Sequence, residues 1–157
     1  MVSRLNGYKK VDIAIKAARK LNLPLKIVGS GPELANLQRT AGPGVEFLGS
    51  VNEETLTLVL SGAKALIIAA EEDFGLTSLE AQALGKPVIA FGKGGAKETV
   101  IQGKTGYLFA EQSAESLTAA LQALMRNGYN KNACLKQASR FSREAFADNL
   151  QEFIKSV

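Results

Sequence analysis

Short β-rich runs alternate along this chain with segments in which apolar residues recur at helical spacing. Val11, Ala14 and Ala18 form the first helical series, and a turn at residues 22–24 ends it. The run at residues 65–70 is wholly apolar, which is typical of a central strand covered on both faces. This alternation predicts βαβ units, and therefore an α/β Rossmann-like fold of three αβα layers around one parallel sheet of about six strands.

The same pattern predicts the position of each element. Residues 2–5 are predicted to be the end of a first strand. The other strands cover residues 25–28, 45–48, 65–70, 87–91 and 106–109. The helices cover residues 11–21, a segment from Pro32, residues 53–61, a segment ending near Leu84, residues 97–102, and two or three segments after residue 113 that are broken at Gly128 and near Phe141. No repeat, low-complexity tract or linker interrupts the chain, so residues 1–157 are predicted to form one domain.

Composition limits the chemistry that the chain can perform. Histidine is absent, which removes the commonest general base and the commonest metal ligand. A single cysteine, Cys134, excludes an internal disulfide and offers no metal cluster. No apolar run is long enough to span a membrane, and the N-terminus does not resemble a signal peptide. We therefore expect a cytoplasmic protein.

The charge balance is mildly basic. The chain has 19 Lys and Arg against 15 Asp and Glu, a formal net charge of +4. This excess is typical of a site for anions such as phosphates, although it also fits an ordinary basic surface. The basic residues are scattered, and only three Tyr and no Trp are available to stack on bases, so nucleic-acid binding is not expected.

Unusual residues follow the predicted strands at their carboxyl ends. In an open parallel sheet, ligands bind beyond these ends, near the point where the strand order reverses. Four segments with such residues project there: residues 4–10, 29–32, 72–80 and 92–98. The ligand site is therefore predicted where these four segments meet.

The segment at residues 72–80 carries the most specific chemistry. Gly75 lets the backbone approach a ligand closely, and the helix behind it presents free N–H groups that suit a diphosphate. Glu72 and Glu80 flank this anion site, and because carboxylates repel anions, both are predicted to accept hydrogen bonds from hydroxyl groups beside it. Two other interpretations stay open. Thr77 and Glu80 match a capping box, and Glu72 could be a solvated loop acid.

Five segments of the chain match, in order, the motifs of glycosyltransferase family four. Residues 72–90, with two glutamates eight positions apart, resemble the family's Glu-x7-Glu signature, and residues 94–100 resemble its Gly-Gly-x-x-Glu segment. The other matches are Ser3-Arg4-Leu5 with Tyr8-Lys9-Lys10, then Val28-Gly29-Ser30-Gly31-Pro32-Glu33, and Phe47-Leu48-Gly49-Ser50-Val51. The chain resembles the C-terminal, donor-binding half of a retaining glycosyltransferase of GT-B fold.

The resemblance implies a role for each matched residue. Arg4 and Lys9 would neutralise the diphosphate of the donor and stabilise the leaving nucleoside diphosphate, with Lys10 as a less favoured substitute for Lys9. Glu72 would hold hydroxyls of the donor sugar, and Glu80 the ribose hydroxyls. Further donor contacts would come from the backbone of Phe74, Gly75, Leu76 and Thr77 and, beside the base, from Val51 and Glu53.

The resemblance also implies the reaction and the partners. The donor would be a nucleoside diphosphate sugar carrying UDP, GDP or ADP, the anomeric configuration would be retained, and neither a metal nor another cofactor would be required. The family's N-terminal acceptor domain is missing from this sequence, and any peripheral membrane contact would belong to a full-length parent.

Three functional interpretations follow. The first is a donor-binding module that transfers sugar poorly alone, because catalysis needs a positioned acceptor and a closed site. The second is a small active transferase in which a second copy replaces the missing half, with Phe146, Leu150 and Phe153 as the interface. Such positions are more often core packing, so a monomer or a weak homodimer is expected. The third is a non-enzymatic or engineered scaffold that keeps the motifs as remnants.

Overall fold

The computed structural model describes residues 1–156, which form an α/β domain of five strands and eight helices. The strands are β1 (Leu25–Val28), β2 (Val45–Gly49), β3 (Leu66–Ile68), β4 (Val88–Phe91) and β5 (Gly106–Phe109). The helices are α1 (Val11–Lys20), α2 (Leu34–Ala41), α3 (Glu53–Gly62), α4 (Leu76–Ala83), α5 (Ala96–Thr99), α6 (Ala114–Asn127), α7 (Lys131–Ser139) and α8 (Arg143–Ser156). A 3-10 turn, Gly7–Lys9, precedes α1.

The strands form two parallel sheets, so the prediction of one sheet of about six strands is wrong in its count and continuity. One sheet has the order β1-β2 and the other the order β3-β4-β5. The predicted first strand, residues 2–5, makes a single parallel bridge from Val2 to Val28. Its backbone bonds go to the β1 side, from Ser3 N to Val28 O at 2.9 Å and from Leu5 N to Ser30 O at 2.9 Å. The segment then enters the 3-10 turn, and it forms no ladder that would join the two sheets.

Both faces of the longer sheet are covered, which confirms the predicted Rossmann-like layering. Side chains alternate along a strand, so neighbouring residues of β3 and β4 enter different cores. Ile67 and Ile89 pack into a core shared with α1, α2 and α6, whereas Leu66 and Val88 pack into a second core with α3 and α4. Because both faces are buried, these strands are continuously apolar.

Most predicted helix boundaries lie close to the observed ones. The helix predicted after residue 113 begins with Ser113 as its N-cap, whose side chain accepts a hydrogen bond from the Ser116 amide at 3.1 Å. The predicted break at Gly128 is confirmed, because this glycine ends α6 with φ of 70°. Two elements are shorter than predicted: β3 ends at Ile68, and α5 ends at Thr99.

The last two helices differ in how they pack. Helix α7 lies against α4, and its Cys134 and Gln137 are buried. Helix α8 buries none of its residues, and Phe146 and Phe153 are 65% and 66% exposed. The prediction that this segment is ordinary core packing is therefore wrong for the described chain, and α8 presents an uncovered apolar face.

Candidate functional site

The loop that carries Glu72 is held against the glycine-rich loop after β4. Glu72 forms an isolated parallel bridge with Gly94, and the Gly95 amide donates to the Glu72 carbonyl at 2.8 Å. The two loops approach so closely that a Cβ on Gly95 would lie 2.6 Å from the carbonyl oxygen of Asp73 and 2.6 Å from Cα of Phe74. Glycine is required here because any side chain would push the loops apart.

An ion pair joins two of the predicted charged residues, Lys9 and Glu72. Lys9 Nζ donates to Glu72 Oε1 at 2.7 Å, although 63 residues separate them in sequence. The two side chains are 15% and 30% exposed, so the pair is partly shielded from water and from salt. Lys9, at the end of the 3-10 turn, therefore contributes the cation at this site. Lys10, its predicted substitute, adopts left-handed backbone with φ of 53° and forms the N-cap of α1.

Helix α4 begins beside this pair with an open N-terminus. Its N-cap is Gly75, whose left-handed backbone (φ 79°, ψ 56°) needs no Cβ, and no side chain caps the helix. Within residues 1–156, no acceptor takes the amides of Leu76 or Thr77, and the first turn has no acidic residue. A Cβ at Gly75 would lie 3.8 Å from Cβ of Glu72, so the ion pair and the helix end are neighbours. A helix dipole and free amides of this kind suit an anion.

The alternative of a capping box at Thr77 and Glu80 is wrong. The helix starts one position before Thr77, since Ser78 N bonds to Gly75 O at 2.8 Å, and Thr77 thus lies inside the helix rather than at its N-cap. A capping box requires the hydroxyl residue at the N-cap. Glu80 is exposed on α4, and its side chain makes no hydrogen bond within the described chain.

Phe74 links the loop before α4 to the end of the domain. Its ring meets the ring of Phe141 edge-on, with centroids 5.7 Å apart and an interplanar angle of 68°. Phe74 is still 40% exposed, and Leu76 is 65% exposed at the start of α4. Aromatic pairs of this geometry add about 0.5–1.5 kcal/mol beyond their buried area. The contact therefore helps to fix the loop in front of the open helix end.

The remaining predicted residues lie on the loops after β1 and β2. Ser30 and Ser50 connect these loops through a hydroxyl–hydroxyl hydrogen bond of 3.0 Å. Val51 is half-buried, and Glu53 is exposed at the start of α3. Glu53 lines a shallow depression of about 520 Å³ on α3.

Arg4 lies on the N-terminal segment that runs beside β1. It is exposed, and within residues 1–156 no carboxylate lies within 4.0 Å of its guanidinium group. The structure thus brings Lys9 and Glu72 into contact beside α4. Within residues 1–156, no ion pair or side-chain hydrogen bond joins this pair to the other predicted residues, which are Arg4, Val51, Glu53 and Glu80.

A buried polar cluster behind the loops was not predicted. Ser78 and Gln82 of α4 and Thr99 of α5 are fully buried and hydrogen-bonded to one another. The i, i+4 spacing of Ser78 and Gln82 was a signal that both side chains share one face of the helix. Sequence alone could not place Thr99 against that face.

The single cysteine, Cys134, lies buried on α7. Burial raises the pKa of the Cys134 thiol to about 11, so this cysteine is protonated at neutral pH and is not a nucleophile. Among residues 1–156, no group of three or more His, Cys, Asp or Glu side chains is placed to hold a metal ion.

Comparison with known proteins identifies the family. The family model described as Glycosyl transferases group 1 matches residues 1–148. The chain belongs to the group 1 glycosyltransferase family. Since the match extends over nearly all of the described domain, this group 1 domain carries the family's sequence pattern from the segment before β1 into α8.

Two relatives are similar in sequence to this group 1 domain over most of its length. The alpha-1,3/1,6-mannosyltransferase ALG2 of Dictyostelium discoideum is 35% identical over 119 residues, which cover 72% of the chain and 28% of the relative. A D-inositol 3-phosphate glycosyltransferase of Rhodococcus erythropolis is 34% identical over 173 residues, which cover 96% of the chain and 39% of the relative. The chain spans less than half the length of these relatives.

The solved structures share the fold of this group 1 domain. HepE of Anabaena, in complex with UDP, matches with a TM-score of 0.84 at 24% identity, covering 99% of the chain and 48% of HepE. A sucrose-phosphate synthase from Thermosynechococcus elongatus matches with a TM-score of 0.83 at 26% identity, covering 99% of the chain and 44% of the synthase. The α/β half-domain of GT-B transferases is therefore the fold of this chain. Within residues 1–156, no helix has the length and apolarity to cross a membrane.

Proposed function

We propose that this group 1 domain binds a nucleoside diphosphate sugar, as the donor half of a retaining glycosyltransferase of family four. The observation that carries the proposal is the Lys9–Glu72 ion pair beside the uncapped end of α4. This arrangement combines a cation and free amides, which suit a diphosphate, with a carboxylate that accepts hydrogen bonds from sugar hydroxyls. The UDP complex of HepE, which has the same fold, supports a nucleotide ligand.

The diphosphate is proposed to lie against the amides of Leu76 and Thr77, with Lys9 and Arg4 as its cations. The Glu72 carboxylate holds Lys9 by a 2.7 Å bond, so the position of the lysine does not depend on the donor. A preorganised cation costs less binding energy than one that must be ordered by the ligand. The exposed guanidinium of Arg4 is available to the diphosphate, because no carboxylate of residues 1–156 pairs with it.

The rest of the donor is proposed to extend to both sides of the diphosphate. Glu72 holds hydroxyls of the sugar, and Glu80 holds the ribose hydroxyls. Val51 and Glu53 contact the base from the loop after β2. Titration with UDP, GDP and ADP distinguishes uracil, guanine and adenine as the base. The acidic residues thus recognise hydroxyl groups rather than the charged part of the donor.

In the proposed reaction, the bond between the anomeric carbon and the diphosphate oxygen breaks, and an acceptor hydroxyl oxygen bonds to the same face of the sugar while its proton passes to the leaving diphosphate. Negative charge develops on the diphosphate as the first bond breaks. Lys9, Arg4 and the helix end stabilise this charge at the moment it develops, the role that a metal ion plays in other transferases. We therefore propose that the transfer requires no metal.

Efficient transfer is proposed to require a second, acceptor-binding domain. The chain spans 28% and 39% of the two named relatives, so most of each relative has no counterpart here. Catalysis needs an acceptor in line with the anomeric carbon and a site closed to water. The domain alone is expected to bind donor and at most to hydrolyse it slowly.

A homodimer is the second candidate state, because α8 leaves Phe146 and Phe153 exposed. Exposed apolar faces of this kind mark association surfaces. Sedimentation analysis at increasing concentration tests it with Phe146→Ser, and with Lys155→Ser of the same helix as control. Association that only Phe146→Ser abolishes supports the dimer, and one sedimenting species of monomer mass at all concentrations excludes it.

The role of Glu80 can be tested with a nucleotide that lacks one ribose hydroxyl. The best-binding nucleoside diphosphate is titrated by calorimetry beside its 2′-deoxy form, with wild type and with Glu80→Ala. We expect Glu80→Ala to weaken the ribonucleotide about tenfold, because a hydrogen bond to a charged group is lost. It should weaken the 2′-deoxy form much less.

The exposed Glu152 of α8 offers a matched control for this substitution, because it is also a carboxylate on the outer face of a helix. Glu152→Ala should leave both affinities within about twofold of wild type, because surface charges away from a site contribute little. An equal loss for both nucleotides in Glu80→Ala would mean that Glu80 does not recognise the ribose.

A further inference from the structure

Three buried polar side chains form a chain of hydrogen bonds that runs in one direction. Gln82 Nε2 donates to Ser78 Oγ at 3.1 Å, Ser78 Oγ donates to Thr99 Oγ1 at 3.2 Å, and Thr99 Oγ1 donates to the Gly95 carbonyl at 3.1 Å. Gln82 Nε2 also donates to the Thr99 carbonyl at 2.8 Å. We call Ser78, Gln82 and Thr99 the buried relay.

The relay ends on the residue that holds the Glu72 loop. Gly95 accepts from Thr99 through its carbonyl and donates through its amide to the Glu72 carbonyl at 2.8 Å. Ser78 lies in the first turn of α4, directly behind the open amides of Leu76 and Thr77. The relay therefore connects the helix that offers these amides to the loop that carries the carboxylate.

The relay consists of buried polar side chains, which restrict how α4 and α5 can pack against each other. All three side chains are at most 1% exposed, and the Gln82 Oε1 atom is buried with no hydrogen-bond partner within residues 1–156. An unsatisfied buried acceptor is unfavourable, and apolar side chains of similar size would pack here without that loss. Polar groups in such a position fix one geometry, because only one arrangement satisfies most of their bonds.

We propose that Ser78, Gln82 and Thr99 are positioning residues that hold the Glu72 carboxylate and the open end of α4 at one fixed separation. This inference rests on the proposed function and deepens it. Lys9 fixes the Glu72 side chain, whereas the relay fixes the backbone from which that side chain extends. A donor that bridges the amides and Glu72 gains from both contacts at once only if their separation is correct, and errors of about half an ångström are felt at such sites.

The test removes the central hydroxyl of the relay and keeps the shape of the side chain. Thr99→Val, Thr99→Ser and wild type are titrated with UDP, GDP and ADP and with the sugar form of the best binder. The expected result is a loss of about tenfold in affinity for the nucleotide sugar in Thr99→Val, with less than about threefold for the nucleotide alone. Thr99→Ser, which keeps the hydroxyl, should restore the sugar affinity.

The ratio of the two affinities separates positioning from simple destabilisation. A smaller folded fraction would weaken both ligands equally and leave the ratio unchanged. The matched control is Thr118→Val, since Thr118 is also buried but its hydroxyl bonds within α6 to the Ala114 carbonyl. An unchanged ratio in Thr99→Val, as in Thr118→Val, would overturn the inference.

A second measurement needs no ligand. Hydrogen exchange of the Gly95 amide reports whether its bond to the Glu72 carbonyl is held closed. Thr99→Val should accelerate this exchange about tenfold over wild type and Thr118→Val, and equal rates would overturn the inference. If wild type binds none of the nucleotides, the proposed function fails, and the exchange rates alone decide whether the relay fixes the loop.

Discussion

Replacing Lys9 by Met should weaken the binding of the nucleoside diphosphate about 100-fold. Lys9 contributes a shielded cation that is held by Glu72 at 2.7 Å. The substitution removes the attraction to the phosphates and also leaves the Glu72 carboxylate without its partner beside an anion. Both effects act in the same direction, so the loss should exceed that of an ordinary surface charge. Calorimetric titration of the two proteins measures it.

Lys10→Met is the matched control for this prediction. Lys10 is the next residue in sequence, but it adopts left-handed backbone and has no ion-pair partner within residues 1–156. Its substitution should change the affinity less than about threefold, as expected for a charge outside the site. Equal losses for the two variants would assign the phosphates to the general basic field of the segment rather than to Lys9.

Substituting Gly95 by Ala should lower the free energy of unfolding by about 2–3 kcal/mol. The added Cβ would lie 2.6 Å from the carbonyl oxygen of Asp73 and 2.6 Å from Cα of Phe74, and these backbone atoms cannot yield without moving the Glu72 loop. The backbone of Gly95 itself, with φ of −62°, accepts alanine without strain. Urea denaturation measures the change, and the variant should also bind the nucleotide sugar more weakly.

Gly62→Ala gives the comparison for the steric effect. Gly62 is the last residue of α3, and a Cβ there meets nothing within 4 Å. Alanine favours a helix over glycine by about 1 kcal/mol, so this variant should be unchanged or slightly more stable. If Gly95→Ala were as stable as Gly62→Ala, the two loops would not be packed as closely as the structure shows.

Local pattern was sufficient to predict most helices and strands of this domain. Helix α6 begins after Ser113 and ends at Gly128, as the pattern predicted, and the apolar run of β3 is buried on both faces. The continuity of the sheet was not predictable in this way. Whether residues 2–5 extend a ladder depends on backbone bonds to distant strands, and those bonds leave only the bridge to Val28.

The loop before α4 and the start of this helix were predictable from the sequence, but the contact of Lys9 with that loop was not. The motif containing Glu72 and Gly75 identified the loop and the helix end, because glycine and helix chemistry are local. The pairing of Lys9 with Glu72 could not be derived, since 63 residues separate them and only the fold brings them together. The position of Gly75 as N-cap also could not be told from that of Thr77, since both match common helix starts.

The packing of the buried relay could not be predicted from the sequence. Ser78 and Gln82 share a helix face by their spacing, but their partner Thr99 comes from a different helix. A serine and a glutamine on a helix are usually solvated, and nothing local marks them as buried. Their role becomes visible only when the packing of α4 against α5 is known.

Titration of the wild-type chain with UDP, GDP and ADP, and then with the sugar form of the best binder, tests the central claim most directly. The structure has a preformed ion pair and an uncapped helix end, so we expect one nucleotide to bind saturably and its sugar form to bind more tightly. This result would also identify the base. If none of the nucleotides binds at about millimolar concentration, which means a standard binding free energy weaker than about −4 kcal/mol, the donor-site proposal is contradicted.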